Sequence, residues 1–294
     1  MLALAPGGAF AQPAAGNTPQ PEAATPAAPA AGAPETRPDD GRRLRLSLSA
    51  SLSATPGKPI ASGLVWRIYP DGDVAAGEIG RPEAETTEAT PALSLKPGVY
   101  VVHVAYGFAS AMQRVSLTSD ATAQLSINAG GLKVTGVVGD TPIPPAQMQV
   151  SVYVPVGQDL EGRLVLENAP PGEVIRLPEG VYHVVSTYGD ANAVMRADLR
   201  VEPGKVTEAT VRHRAAAVTL KLVQTPGGEA FAGTAFSVLT PGGDVIREEI
   251  GAFPTLVLEE GDYIVIARHD GKVYTREFQV ESGVNRDVEV LAAD

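Results

Sequence analysis

The chain has 294 residues, which is more than one hydrophobic core usually serves, so several small domains are expected. Its formal net charge of -11 argues against nucleic acid as a partner, because binding a phosphate backbone requires clustered Lys and Arg. The absence of Cys excludes disulfides, thiolate metal ligands, thiol nucleophiles and the acylated Cys of a lipoprotein.

The first eleven residues carry the pattern of an export signal. Residues 1–11 are a short apolar run ending in Ala9-Phe10-Ala11, the small-x-small pattern that a signal peptidase accepts. Since no basic residue precedes the run, we expect a signal remnant whose true start and cleavage site stay open. The run is shorter than the roughly 20 residues that span a bilayer, and no later segment is long enough, so no transmembrane segment is expected in the mature chain. The predicted location is periplasmic or secreted.

Residues 12–42 predict a disordered Pro/Ala-rich linker. Seven prolines lie among Ala, Thr and Gly, with almost no large apolar side chains to offset the entropy of ordering. Such a segment is extended and semi-rigid. Two interpretations stay open: an inert tail, or a tether that gives reach within the envelope.

The rest of the chain contains three copies of one sequence segment. The segment at residues 93–107 recurs at 175–189 and again at 256–270. The spacing, near 80 residues, exceeds that of solenoid repeats and approaches the length of one sandwich domain. We therefore predict three sandwich repeats, the second of them divergent, over these ranges: repeat 1, 43–129; repeat 2, 130–214; repeat 3, 215–294.

The pattern of each repeat predicts the same series of short strands. An opening strand and a second apolar run are followed by a Leu-x-Leu strand, a turn ending in Gly, a strand beginning at Tyr, a returning hairpin strand and a closing strand. No amphipathic helix interrupts the series. The predicted fold class is all-β: three tandem immunoglobulin-like antiparallel β-sandwich domains after a disordered Pro/Ala-rich N-terminal segment.

A Gly-x-Tyr motif marks the same point of every repeat. We expect the glycines to adopt a positive φ in the turn, and the tyrosines to be packing anchors with a hydrogen-bonded hydroxyl. These structural repeat anchors are Gly98 and Tyr100, Gly180 and Tyr182, and Gly261 and Tyr263.

The Leu-x-Leu-x-x-Gly-x-Tyr-x-Val pattern resembles the immunoglobulin-like, carboxypeptidase-regulatory-like and surface-anchored sandwich repeats of bacterial envelope proteins. More closely, the region from Arg43 to Asp294 resembles exported proteins of alphaproteobacteria. This resemblance implies a fold and carries no site residues, because such sandwiches serve adhesion, scaffolding and carbohydrate contact alike.

Four aromatic residues are candidate ligand or partner contacts. Trp66 aligns with Ser237 of repeat 3 and is either a core residue or an exposed platform. Tyr106 and Tyr188 each precede a hairpin Gly and, with Phe108, would form an exposed contact strip. Aromatic stacking of this kind is how sandwiches bind sugars.

Nothing in the sequence indicates catalysis, a metal or a cofactor. The four histidines fall at different repeat positions, which disfavours a metal site, and no nucleophile elbow or phosphate loop occurs. His213, between Arg212 and Arg214, suggests the hypothesis that the chain responds to envelope pH.

The sequence predicts a non-catalytic, exported structural or interaction protein of the bacterial cell envelope. In this hypothesis a tethered array of sandwiches binds other envelope proteins through strand edges or domain joins. The alternative is a module that binds carbohydrate or peptidoglycan through Trp66, Tyr106 and Tyr188.

Overall fold

The computed structural model describes residues 41–53, 58–72, 80–157 and 159–292, with the side chains of 159–161 left aside. The predicted signal remnant lies outside the described residues, as does the predicted linker apart from its last two residues. The described part of the chain is built from 22 β-strands and one short 3-10 turn, Pro145–Gln147.

The strands fall into three successive groups. Repeat 1 contains β1 (Leu44–Ser51), β2 (Val65–Pro70), β3 (Ala84–Thr86), β4 (Ala92–Leu95), β5 (Gly98–Tyr106), β6 (Ala109–Leu117) and β7 (Ala121–Ser126). Repeat 2 contains β8 (Ala129–Val138), β9 (Thr141–Pro142), β10 (Met148–Val156), β11 (Asp159–Ala169), β12 (Val174–Pro178), β13 (Gly180–Tyr188), β14 (Val194–Val201) and β15 (Val206–His213). Repeat 3 contains β16 (Ala215–Val223), β17 (Thr234–Leu239), β18 (Val245–Gly251), β19 (Thr255–Glu259), β20 (Gly261–His269), β21 (Lys272–Val280) and β22 (Arg286–Leu291).

Each repeat has the same two sheets. The smaller sheets have the orders β4-β1-β7, β12-β8-β15 and β19-β16-β22, with β9 added beside β8. The larger sheets have the orders β3-β2-β5-β6, β11-β10-β13-β14 and β18-β17-β20-β21. The predicted fold class of tandem all-β sandwiches is thereby confirmed.

One pairing in every repeat departs from a purely antiparallel sandwich. The first and last strands of each repeat run parallel: β1 beside β7, β8 beside β15 and β16 beside β22. The alternation of apolar side chains assigns a strand's faces but not its direction, so the sequence pattern does not distinguish the two pairings.

Three separate hydrophobic clusters fill the sandwiches. They extend over Leu44 to Ala129, Leu132 to Val211 and Ala216 to Ala292. In β5 and β20 the buried side chains alternate strictly, beginning at Tyr100 and Tyr263, as a strand with one face on a core requires. Each core therefore lies between its own two sheets.

The strand register places Trp66 in the first core. Trp66 pairs with Val104, four residues after the repeat Tyr, whereas Phe236 pairs with Ala267, the same number of residues after Tyr263. Trp66 is thus equivalent to Phe236 and not to Ser237, as the sequence alignment had suggested. A shift of one residue exchanges the two faces of a strand, so this difference decides whether Trp66 is inside or outside.

Candidate functional site

The repeat tyrosines form the same internal corner three times. Each hydroxyl donates to the carbonyl four residues earlier: Tyr100 to Lys96 at 2.9 Å, Tyr182 to Pro178 at 2.9 Å and Tyr263 to Glu259 at 2.8 Å. Burial of the rings raises the pKa of all three phenols. Each tyrosine thus ties the end of the Leu-x-Leu strand, in one sheet, to the following strand in the other sheet.

The glycines before these tyrosines have a different role from the one expected. Gly98, Gly180 and Gly261 do not adopt a positive φ, so that expectation was wrong. A Cβ on each would instead lie 3.6, 3.7 and 3.8 Å from the ring of the Tyr two residues later. These are ordinary van der Waals distances, so the ring packs over the glycine and a Cβ there would not clash with it.

The hairpin of repeat 1 docks on a strand of repeat 2, in a contact that we call joint 1. Gly107, at φ +63°, approaches so closely that a Cβ would lie 2.6 Å from Arg176 Cβ and 2.8 Å from its carbonyl oxygen. The backbone N–H of Phe108 donates to this carbonyl at 3.0 Å. The Arg176 guanidinium lies 4.7 Å from the centre of the Tyr106 ring, within cation–π range.

The hairpin of repeat 2 docks on repeat 3 in the same way, in joint 2. Gly189, at φ +72°, would bring a Cβ within 2.5 Å of Val257 Cβ, and Val257 occupies the same place in its Leu-x-Leu strand as Arg176. The side chain of Asn192 donates to the Tyr263 hydroxyl at 2.8 Å and accepts from the Glu259 N–H at 3.1 Å. These bonds couple joint 2 to the tyrosine corner of repeat 3.

An ion pair adds to joint 2. Asp190, beside the hairpin glycine, lies 2.8 Å from the Arg247 guanidinium of repeat 3, which also contacts Glu249 at 2.8 Å. The side chains are part-exposed, so the pair contributes little stability by itself. Its position favours one orientation of the two repeats.

The predicted aromatic strip is therefore not a free surface. Tyr106 and Tyr188 are half-buried, and the hairpin glycines that follow them lie against the next repeat. Phe108 remains 49% exposed, but its backbone is bonded to repeat 2. The structure uses these hairpins to connect repeats, which the Tyr-Gly pairs alone do not reveal.

Trp66 is not an exposed platform. Its side chain is fully buried, and its indole N–H donates to the carbonyl of Glu88 at 3.0 Å. With Trp66 inside and the two tyrosines in the joints, the four candidate contact residues do not share one accessible face.

His213 lies in the interior, at the end of repeat 2 that carries joint 2. It is 1% exposed; its Nε2 lies 2.7 Å from Ser186 Oγ, and its ring meets Tyr188 edge to face at 6.1 Å. Burial lowers the pKa of His213, and a backbone hydrogen bond at Ala193 offsets part of this effect.

We expect His213 to make the chain less stable in mild acid. The unfolded histidine takes up a proton as the pH falls through 6.5, whereas the folded one stays neutral to lower pH, so the unfolded state gains protons first. The contribution of neutral His213 is complete above pH 6.5 and declines as the pH falls towards the folded pKa. Urea unfolding of the wild type and of His213→Gln, at several pH values from 8 to 5, should give a smaller pH slope for the variant. Identical slopes would contradict the assignment.

The other histidines lie in unrelated surroundings. His103 is half-buried on the outer side of β5, and its pKa is lowered by burial and by Arg67. His183 Nδ1 lies 2.8 Å from Asp198, and the His269 ring stacks on Phe231 at 5.1 Å. In the part of the chain that the structure describes, His, Asp and Glu side chains form no group of three that could hold a metal ion.

An apolar solvent-facing surface lies on repeat 3, and sequence reasoning missed it. Large aliphatic side chains cover the outer side of the sheet β18-β17-β20-β21, and three of them are widely exposed: Ile250 at 77%, Val273 at 60% and Val245 at 58%. Val245 pairs across the strands with Leu239, whereas Ile250 pairs with Ala235 and Val273 with Arg268. Half-buried aliphatic side chains occupy the same side of the sheet, at Leu239, Ile264 and Ile266. We call the three exposed and the three half-buried aliphatic residues the outer face of repeat 3.

A polar chain crosses the middle of this face. Arg268 donates to Ser237 Oγ at 3.1 Å, and Ser237 donates to Glu248 at 2.9 Å, beside a depression of about 460 Å³ at the edge strand. The sequence indicates this apolar outer surface at Tyr263-Ile-Val-Ile266. There, apolar residues occupy both faces of one strand instead of alternating with polar ones. Such a surface is typical of a contact with another protein.

The comparison with protein families concerns this same repeat. Residues 217–292 match the family described as the Rhizobiales growth-associated tandem repeat domain. The match covers less than a third of the chain, and its limits are close to those of repeat 3. No curated protein matches the chain.

Several solved structures of bacterial proteins are distantly similar. The Bacillus anthracis TIE protein is 15% identical, over 84% of this chain and 50% of its own, with a TM-score of 0.25, so this chain spans about half of its length. A minor pilin of Streptococcus agalactiae is 18% identical, over 58% of this chain and 95% of its own, at 0.30. A putative cell adhesion protein from Bacteroides ovatus is 12% identical, over 54% and 91%, at 0.28. Overlaps at these TM-scores carry no conclusion about function.

The described residues contain no helix that is long and apolar enough to span a membrane.

Proposed function

We propose that this chain is a non-catalytic structural and interaction protein of the bacterial envelope, exported by the segment at residues 1–11. Its sandwich repeats act as a positioned support and bind another envelope protein. The single observation that carries the proposal is the pair of joints, in which two different hairpins use the same glycine contact to hold the next repeat. Flexible linkers would be enough to connect the repeats, so the close glycine contacts indicate that the orientation of the repeats matters.

The outer face of repeat 3 is the proposed partner site. It offers exposed Ile250, Val273 and Val245 on a sheet whose edge strand, β18, pairs with β17 alone among the described residues. Exposed aliphatic side chains that share one side of a sheet are typical of a protein interaction site. The description of the matching family, growth-associated, supports a partner connected with growth.

Crosslinking in living cells tests this site. We expect a photo-crosslinking residue at Val273 to capture a reproducible envelope protein and Ile250→Lys to abolish the capture, because a charge would be buried in an apolar contact. Met112→Lys is the matched control, since Met112 is 70% exposed on repeat 1 and outside the proposed site. Capture that survives Ile250→Lys, or no reproducible neighbour, would refute the site.

Cell fractionation tests the location. We expect the chain in the periplasmic or secreted fraction, shortened after Ala11 or at an upstream-encoded signal. Recovery in the cytoplasm with the N-terminal residues intact would refute export.

Isolated wall material should not retain the purified chain, because Trp66 is buried and Tyr106 and Tyr188 are in or beside the joints.

A further inference from the structure

The two joints share a second contact besides the hairpin glycine. The residue just before the repeat Gly donates its N–H to a carbonyl at the end of the preceding repeat: Glu179 to Asn128 and Glu260 to Arg214, both at 2.8 Å. A joint of this type therefore needs a glycine at the tip of one repeat and a backbone donor on the leading face of the next.

The hairpin of repeat 3 does not meet the first requirement. Asp270 stands where repeats 1 and 2 have Gly107 and Gly189, seven residues after the repeat Tyr. Its φ of +49° keeps the hairpin shape, but it carries a Cβ where the joints leave 2.5 to 2.6 Å to the receiving strand. Its carboxylate is 89% exposed and would lose its water in such a contact.

The leading face of repeat 1 does not meet the second requirement. Pro97 occupies the position of Glu179 and Glu260 and has no N–H to donate. The carbonyl of Ser94, equivalent to the Arg176 carbonyl that receives Phe108, already accepts from the Arg43 side chain at 2.9 Å. Both of the surfaces that could extend the series are altered at the contact points.

We propose that these residues block end-to-end joining between two copies of this chain, with Asp270 as the decisive obstacle. A hairpin that docks on the next repeat is a head-to-tail contact, and such contacts build open filaments when nothing closes them. Repeats with interchangeable joints would face this hazard between chains as well as within one. The inference goes beyond the proposed function, since it concerns a second copy and not the envelope partner.

The test restores the joint on both surfaces. In the full chain, Asp270→Gly combined with Pro97→Glu should produce a sedimentation coefficient that rises with concentration, whereas that of the wild type stays constant. The control is Asp270→Asn with Pro97→Glu: Asn tolerates the same φ and removes the charge but keeps the Cβ. It should behave like the wild type. A restored double variant that does not associate at any concentration would overturn the proposal.

A disulfide trap identifies the surfaces involved. The chain has no Cys, so Ser94→Cys and His269→Cys introduce the only thiols, and these two positions match Arg176 and Tyr106 of joint 1. Oxidation should link chains when Asp270→Gly and Pro97→Glu are present and leave them single in the otherwise wild-type chain. Linked chains with Asp270 and Pro97 in place would show that the ends are open, and would refute the inference.

Discussion

Replacement of Gly189 by alanine is expected to disrupt joint 2 and to lower the free energy of unfolding by about 2–4 kcal/mol. Two costs add: a positive φ for a residue with a side chain, and a Cβ forced to within 2.5 Å of Val257 Cβ. The hydrogen bonds of Asn192 to Tyr263 and Glu259 would weaken as the hairpin moves away. Urea unfolding measures the loss, and small-angle scattering measures the freedom gained between repeats 2 and 3.

Gly271→Ala is the matched control for this change. Gly271 also has a positive φ, +76°, but a Cβ there would meet nothing within 4 Å. Only the backbone cost applies, about 1–2 kcal/mol, and the scattering profile should not change. If the two variants lost equal stability and neither changed the profile, the close contact at Gly189 would not hold the repeats together.

Truncation of Trp66 to alanine is expected to have the largest effect on a single core, about 3–5 kcal/mol. Trp66 is fully buried between the sheets of repeat 1, and its indole bond to Glu88 is lost with the ring. Because the three hydrophobic clusters are separate, the damage should be limited to repeat 1. Hydrogen exchange resolved by segment measures this, with protection lost over the strands β1 to β7 and kept over β16 to β22.

Trp66→Phe is the informative comparison. Phenylalanine occupies the equivalent core position of repeat 3, Phe236, so the ring size is acceptable to this fold. We expect a clearly smaller loss than for alanine. An alanine variant as stable as the wild type would show that Trp66 does not support the core, contrary to its burial.

Much of the fold could be predicted because it depends on local rules. Alternating apolar residues and recurring turns predicted the strands, and the recurrence of Gly-x-Tyr predicted that one architecture occurs three times. The hydroxyls of Tyr100, Tyr182 and Tyr263 each donate to the carbonyl four residues earlier. These features need only the chain near each residue.

The candidate site could be predicted only in part, because it depends on contacts between distant segments. Gly107 and Gly189 look like ordinary hairpin glycines, and only the next repeat, at Arg176 and Val257, shows why a Cβ cannot be accommodated. Because of these contacts, the hairpins predicted to carry an exposed aromatic strip form the joints between repeats instead.

The sequence by itself determined that this protein is a series of sandwich repeats with a tyrosine anchor in each, since hydrophobic period and turn chemistry are encoded locally. The tertiary structure alone decided which surfaces are used between repeats and which remain free. Trp66 faces the core because its strand pairs Trp66 with Val104. A shift of one residue in this register would place Trp66 on the opposite face. Ile250 and Val273 remained outside because their sheet has no described layer beyond it. Packing between segments far apart in the chain carries most of that information.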